Sequence, residues 1–338
     1  MSPTSYRTAP PRVVSRIVTQ HPPRCKTWHD GAVRVASADI GTNSTRLLVA
    51  EVTPAGSVTE VERLLEITRL GEGVDASGIL GELPMTRVTD ALARFSALAG
   101  RLGAERLLAV ATSAVRDAAN RDEFLARVAA SGFEPRLLSG EQEAATTFAG
   151  VCSHAPGEAV VSADGAIVID VGGGSTELVL GGPDGVVWSR SLQAGCVRMT
   201  ERFLGEGIVS GDAFASCASA VDALLEAVPD DVVAAAHRGI AVAGTATTIA
   251  AIANGGYDVH AVHGALLTRT QVRDLQARLG ALPLEARRAV PGLELARAPV
   301  IVAGLAVLGR VLDRFGLAEA VVSERDILHG AALLAAGW

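Results

Sequence analysis

Residues Asp39–Val49 read D-I-G-T-N-S-T-R-L-L-V, and residues Asp170–Leu180 read D-V-G-G-G-S-T-E-L-V-L. Asp, Gly, Ser, Thr and Leu coincide in register, and the other apolar positions stay apolar. Each segment comes after an apolar run (33–38 and 166–169) and leads into another, the pattern of a strand, a Gly-rich turn and a returning strand. Two unrelated hairpins would not share five positions of eleven with matched flanks, so the chain reads as an internal duplication.

The segments downstream of each hairpin extend the repeat. After the first come a strand over 58–68, a helix with Pro84 at its start and a strand over 106–111. A helix capped by Asn120, a short strand and a helix from Gly140 complete that half. The second half gives a third strand near 186–192, helices from Cys196 and Ser210, a strand over 240–243 and a further helix. This predicts an α/β protein of two like domains, 33–147 and 148–338, around a cleft that both Gly-rich turns face. A long helix is expected from about Glu294, returning at the C-terminal end to brace the first domain.

Residues 1–32 differ from this body. Up to Asp30 they hold five prolines, five basic residues and one acid, without apolar periodicity, and are expected to form a disordered arm. They lack the apolar core of a secretory signal. Without them the formal charge of −7 becomes −11.

Composition narrows the function. The chain has 338 residues, 49% hydrophobic, 20% charged and 4% aromatic, which is soluble globular composition. Lys26 is the only lysine, so Schiff-base chemistry and a Walker-type phosphate lysine have no candidate in the body. An acidic body with few stacking rings argues against nucleic acid as a partner. The uncharged stretch 239–257 is interrupted by Gly244, Thr245, Thr247, Thr248, Asn254 and Gly255, so it reads as strand, turn and helix rather than a membrane span. Cys25, Cys152, Cys196 and Cys217 form no C-x-x-C pair, which fits a reducing, cytoplasmic setting.

The turns carry the chemistry. Consecutive backbone N–H groups without side chains in the way hold phosphate, and two such turns can grip one anion from both sides. That makes Thr42, Asn43 and Ser44, with Gly172, Gly173, Gly174 and Ser175, the candidate phosphate cradle; the competing reading is a tight hairpin and nothing more. Asp39 and Asp170 sit where strand meets turn, and Glu177 lies on the returning strand within reach of Asp170. Carboxylates beside phosphate oxygens suit magnesium or manganese; the competing reading of each Asp alone is a turn residue bonding its own backbone. Arg116 lies just past a strand end, placed for bidentate contact with phosphate. Arg69, Arg198 and Arg269 are further cleft candidates.

Ser139 and Gln142 make a capping box, which puts Glu141 and Glu143 in the first turn of the helix from Gly140. Either could complement the helix dipole or orient a water against phosphorus. His260 and His263 share a helix face but lack a third ligand, and His329 is expected to pack near the C-terminal helix.

At these residues the chain resembles the exopolyphosphatase and guanosine pentaphosphate phosphatase family. The resemblance rests on D-I-G-T-N-S-T-R-L (39–47), A-T-S-A-V-R-D-A (111–118), S-G-E-Q-E-A (139–144), D-V-G-G-G-S-T-E-L (170–178), G-C-V-R-M-T-E-R-F (195–203) and A-G-T-A-T-T-I-A (243–250), in order along the body. It implies duplicated ribonuclease-H-like domains of the actin-like, sugar-kinase-like class, with magnesium and often potassium. By that resemblance Glu143 is the general base and Arg116 binds phosphate. Asp170 and Glu177 hold the metal, while Asn43, Gly173, Gly174 and Ser175 cradle the terminal phosphate. Gln142 stands where many relatives carry an acid. The expected activity is release of terminal orthophosphate from inorganic polyphosphate, favouring short chains because no further domain extends the basic surface. Hydrolysis or silent sensing of guanosine pentaphosphate, and a kinase of the same fold, are the alternatives; a homodimer is expected.

Overall fold

The computed structural model describes residues 15–16, 31–155 and 163–338. One sheet contains β1 (Ser15–Arg16), β2 (Val33–Ile40), β3 (Ser44–Val52), β4 (Val58–Ile67), β5 (Arg106–Ala111) and β6 (Glu134–Leu137), in the order β1-β4-β3-β2-β5-β6. The other contains β7 (Ala166–Val171), β8 (Thr176–Gly182), β9 (Gly185–Leu192), β10 (Arg238–Val242), β11 (Leu266–Thr268) and β12 (Glu319–Val322), in the order β11-β12-β10-β7-β8-β9. In each, three antiparallel strands form a meander, and two further strands add in parallel beside the first. The shared order is the structural counterpart of the sequence repeat. Apart from the β1 pairing with β4, the expected N-terminal arm lies outside the described residues.

The hairpin strands are buried because helices cover both faces. Along β2, Ala36, Ala38 and Ile40 pack on the helix Glu82–Arg101 through Val88, Leu92 and Phe95. Val35 points to the other face, where Leu328, Ala331 and Ala332 of the helix Ile327–Ala336 cover it. The helix expected from about Glu294 begins at Ile301, ends at Arg314 and is buried in the second core. The helix on the first sheet is the one after it.

Two helices join the halves. The helix Gly140–Cys152 lies on the second sheet through Ala144, Phe148 and Val151, and it crosses the helix Ile327–Ala336 at two glycines. A Cβ on Gly150 would lie 1.8 Å from the Asp326 carbonyl oxygen, and one on Gly330 would lie 1.8 Å from that of Thr146. This close crossing ties the domains together beneath the cleft. Asn120 precedes its helix without capping it; its side-chain amide instead bonds the backbone N–H and C=O of Leu80. Among the described residues no helix is long and apolar enough to cross a membrane.

Candidate active site

The two Gly-rich turns close identically, with Gly41 N–H donating to the Ser44 carbonyl and Gly172 N–H to that of Ser175, both at 3.0 Å. They meet across the cleft. A Cβ on Gly173 would lie 2.8 Å from Thr42 Cβ, and one on Gly174 would lie 2.6 Å from Ser113 Oγ. Between them is a cavity of about 70 Å³. It is lined by Asp39, Thr42, Asn43, Ser44, Glu143, Asp170, Gly172, Gly173, Gly174, Ser175 and Glu177, so the expected cradle, the three hairpin acids and Glu143 converge there, while none of the four candidate arginines lines it. The side-chain Nδ2 of Asn43 is buried with no partner, an available donor for an anion in the cavity.

Arg116 stands apart. Its Nη1 donates to Glu143 Oε2 at 2.8 Å and to the Leu138 carbonyl at 2.9 Å, and it does not line the cavity. In this structure it holds Glu143. The capping box forms as expected, with Glu141 exposed and Glu143 buried, so helix geometry separates the two acids. Burial pushes the Glu143 carboxyl up to about 7, against the opposing pull of Arg116.

The two hairpins give their acids different partners. Across the first hairpin Asp39 is directly opposite Arg46, whose Nε and Nη2 donate to Asp39 Oδ2 at 3.0 and 2.7 Å. Across the second, Asp170 is opposite Glu177. Burial, with Asp326 and Glu143 nearby, pushes Asp170 up to about 8, and burial together with Glu143 and Asp170 raises Glu177 well above the usual range. Thr147 Oγ1 donates weakly to Asp170 at 3.4 Å, and Ser191 Oγ donates to Glu177 at 2.7 Å. Among the described residues no three acid, His or Cys side chains form a closed metal cage. Two oxygen donors beside this cavity are nevertheless a donor set that magnesium uses, since it keeps waters and takes phosphate oxygens.

Sequence reasoning missed Arg46 and Arg297. Arg46 lies inside a quoted motif, and its pairing with Glu177 in the repeat alignment was the available signal. Arg297 carries none: it arrives by packing, where Ala243, at φ 61°, turns β10 directly into a helix and a Cβ on Gly244 would lie 2.0 Å from Arg297 Nη1. Arg269 is not at the cleft but beside Asp313, 3.6 Å away, on the second domain. His260 and His263 are exposed, and buried His329 lies in the C-terminal helix with Nε2 2.8 Å from Glu60.

Paired Gly-rich turns on a duplicated α/β fold, closing over a buried carboxyl, place the chain in the two-domain cleft class. The chain belongs to the Ppx/GppA phosphatase family, whose model matches residues 48–333. It is 37% identical to Exopolyphosphatase 2 of Mycobacterium tuberculosis H37Rv over 90% of this chain and 99% of that protein. It is 31% identical to the guanosine-5'-triphosphate,3'-diphosphate pyrophosphatase of Aeromonas salmonicida, over 87% of this chain and 58% of that one. The solved Ppx/GppA family member of Aquifex aeolicus superposes with a TM-score of 0.73 at 30% identity, covering 90% of this chain and 97% of that one.

Proposed function

We propose that this chain is an exopolyphosphatase, a phosphoric anhydride hydrolase releasing terminal orthophosphate from inorganic polyphosphate. The carrying observation is Glu143, buried at the wall of a two-turn phosphate cavity and held by Arg116 at 2.8 Å. The turns bind the terminal phosphate through backbone N–H groups, the Ser44 and Ser175 hydroxyls and the Asn43 amide. Glu143 orients a water against phosphorus and accepts its proton, a task suited to a carboxyl poised near neutrality. Arg116 fixes the Glu143 carboxylate in position. Asp170 and Glu177 would hold magnesium or manganese, which supplies charge neutralisation on the phosphate oxygens; potassium is a further candidate.

A second reading, hydrolysis of guanosine pentaphosphate, is favoured by one observation. Arg46, Gly244 and Arg297 line both this site and a neighbouring cavity of about 270 Å³, lined also by Tyr257, that is large enough for more than phosphate. The experiment is phosphate release from polyphosphates of defined length beside guanosine pentaphosphate and ATP, with and without a phosphate acceptor. Release from polyphosphate, at least as efficient per chain end for short chains as for long ones, is the expected outcome. Phosphate transfer from ATP to an acceptor would make the chain a kinase. We further propose a homodimer in the cytoplasm, tested by mass in solution and by fractionation.

A further inference from the structure

In the second Gly-rich turn three successive carbonyls are held by one short segment. The Gly172 carbonyl accepts from Cys196 N–H at 2.9 Å, and that of Gly173 accepts from Val197 N–H at 2.8 Å and Arg198 N–H at 3.2 Å. The Gly174 carbonyl accepts from the Arg198 side chain, through Nε at 2.7 Å. A trans peptide points its C=O and the next N–H in opposite directions, so the N–H groups of Gly173, Gly174 and Ser175 turn away from residues 196–198. None of the three has a partner among the described residues. Gly173, Gly174 and Ser175 line the cavity between the turns, and Arg198 does not. It stands behind the turn rather than in the cavity.

The first turn solves the same problem differently. There the repeat sets Asn43 at the position of Gly174, and its carbonyl is held by backbone alone, accepting from Arg69 N–H at 2.9 Å and Thr68 N–H at 3.2 Å. The Gly174 carbonyl has only the Arg198 side chain, and with Gly173 beside it the chain itself does little to stop that peptide from rotating. Arg198 is in turn fixed from the first domain, where its two Nη atoms reach Asp75 and, at 2.5 Å, Asp117, with a longer contact on Ser113 Oγ at 3.4 Å. Arg202 shares Asp75 at 2.7 Å. We infer that Arg198 is a positioning residue, whose Nε holds the Gly174–Ser175 peptide so that the Ser175 N–H faces the terminal phosphate. This rests on the phosphate-binding reading above. A donor aimed before the substrate arrives needs no reorganisation as charge develops on the phosphate oxygens. The aim of the second-domain turn is thereby set from the first domain.

The test compares Arg198→Gln with Arg198→Met in the full chain. Both lose the charge and the pairs with Asp75 and Asp117, but the glutamine amide nitrogen falls where Nε stands and the methionine methyl falls there instead. A purely structural role therefore predicts that the two behave alike. With tripolyphosphate and magnesium, Arg198→Met should lower kcat about ten- to a hundredfold, up to the effect of deleting one such donor, and Arg198→Gln should stay within about fivefold of wild type. In amide-resolved NMR with orthophosphate and magnesium, the Ser175 N–H signal should shift in wild type and Arg198→Gln and stay still in Arg198→Met. The Gly174 N–H, whose peptide is held by backbone bonds, should shift in all three. Arg202→Gln, which touches Asp75 but not the turn, should match wild type. Thermal unfolding checks that each variant folds; should Arg198→Met not fold, Arg198→Lys, with a methylene in place of Nε, is measured instead. Equal kcat in the glutamine and methionine variants, a Ser175 signal that still shifts without the donor, or an Arg202→Gln as slow as Arg198→Met would each overturn the assignment. A wild type that cleaves no tripolyphosphate would overturn the substrate reading alone, with the orthophosphate titration still deciding on Arg198; turn amides unmoved by orthophosphate in wild type would overturn both.

Discussion

At the same register position across the turn, the first hairpin sets Arg46 opposite Asp39 and the second sets Glu177 opposite Asp170. The turns themselves close with the same 3.0 Å hydrogen bond, so duplication kept the turn backbone. The facing charges diverged. Arg46 also reaches Asp326, the N-cap of the C-terminal helix, so the first hairpin is an internally neutralised pair tied to the helix that braces it. The second hairpin has only hydroxyls against its two acids and stays unbalanced until a proton or a cation arrives. We propose that one half holds the fold and that the other holds a metal.

Three comparisons probe that division. The largest effect belongs to Glu143, which borders both hairpins: Glu143→Gln should lower kcat about 100- to 10,000-fold with substrate binding retained. Glu141→Gln, exposed in the same helical turn, should stay near wild type in the same steady-state assay. Next comes the matched pair of register positions. Arg46→Gln leaves Asp39 and Asp326 buried without their cation and should cost about 3–5 kcal/mol of stability in denaturant titration. Glu177→Gln replaces a buried carboxyl crowded by Glu143 and Asp170 with a neutral amide and should raise the melting temperature of metal-free protein. Opposite signs at equivalent positions are the signature of the division; two losses of similar size would erase it.

The smallest effect is on pH dependence. Glu143 and Asp170 have folded-state values pushed up to about 7 and about 8, chiefly by burial. Acids raised on folding bind protons more tightly in the native state, so their stabilisation is complete below the unfolded carboxylate range. It is lost as pH rises through those folded values. Metal-free protein should therefore melt lower at about pH 8 than at about pH 5, and Asp170→Asn should flatten the difference. Calorimetry with chelator at both values checks it.

How legible each feature is in the sequence depends on how local it is. The hairpins, the capping box at Ser139 and the strand-end position of Arg116 depend on neighbours within a few residues, and they were legible. The opposition of Arg46 and Glu177 was written in the repeat as well, but reading it required pairing residues across a turn rather than along a motif. Arg297 could not be found, because its place depends on a helix start at Ala243 far away in sequence. Arg269 looked like a cleft residue by composition alone, and its actual neighbour, Asp313, comes from a helix that packs later in the chain. Asn120 shows the same limit: its side chain is taken by Leu80, forty residues earlier, rather than by its own helix.

The most direct test of the division is metal affinity without turnover. Manganese binding to the full chain, followed by electron paramagnetic resonance in the absence of substrate, should be lost or weakened at least about tenfold in Asp170→Asn and in Glu177→Gln. Asp39→Asn, whose carboxylate already serves Arg46, should bind manganese within about threefold of wild type. An Asp39→Asn protein that loses manganese as fully as Asp170→Asn would contradict the account, because the first hairpin would then be a metal site as much as the second.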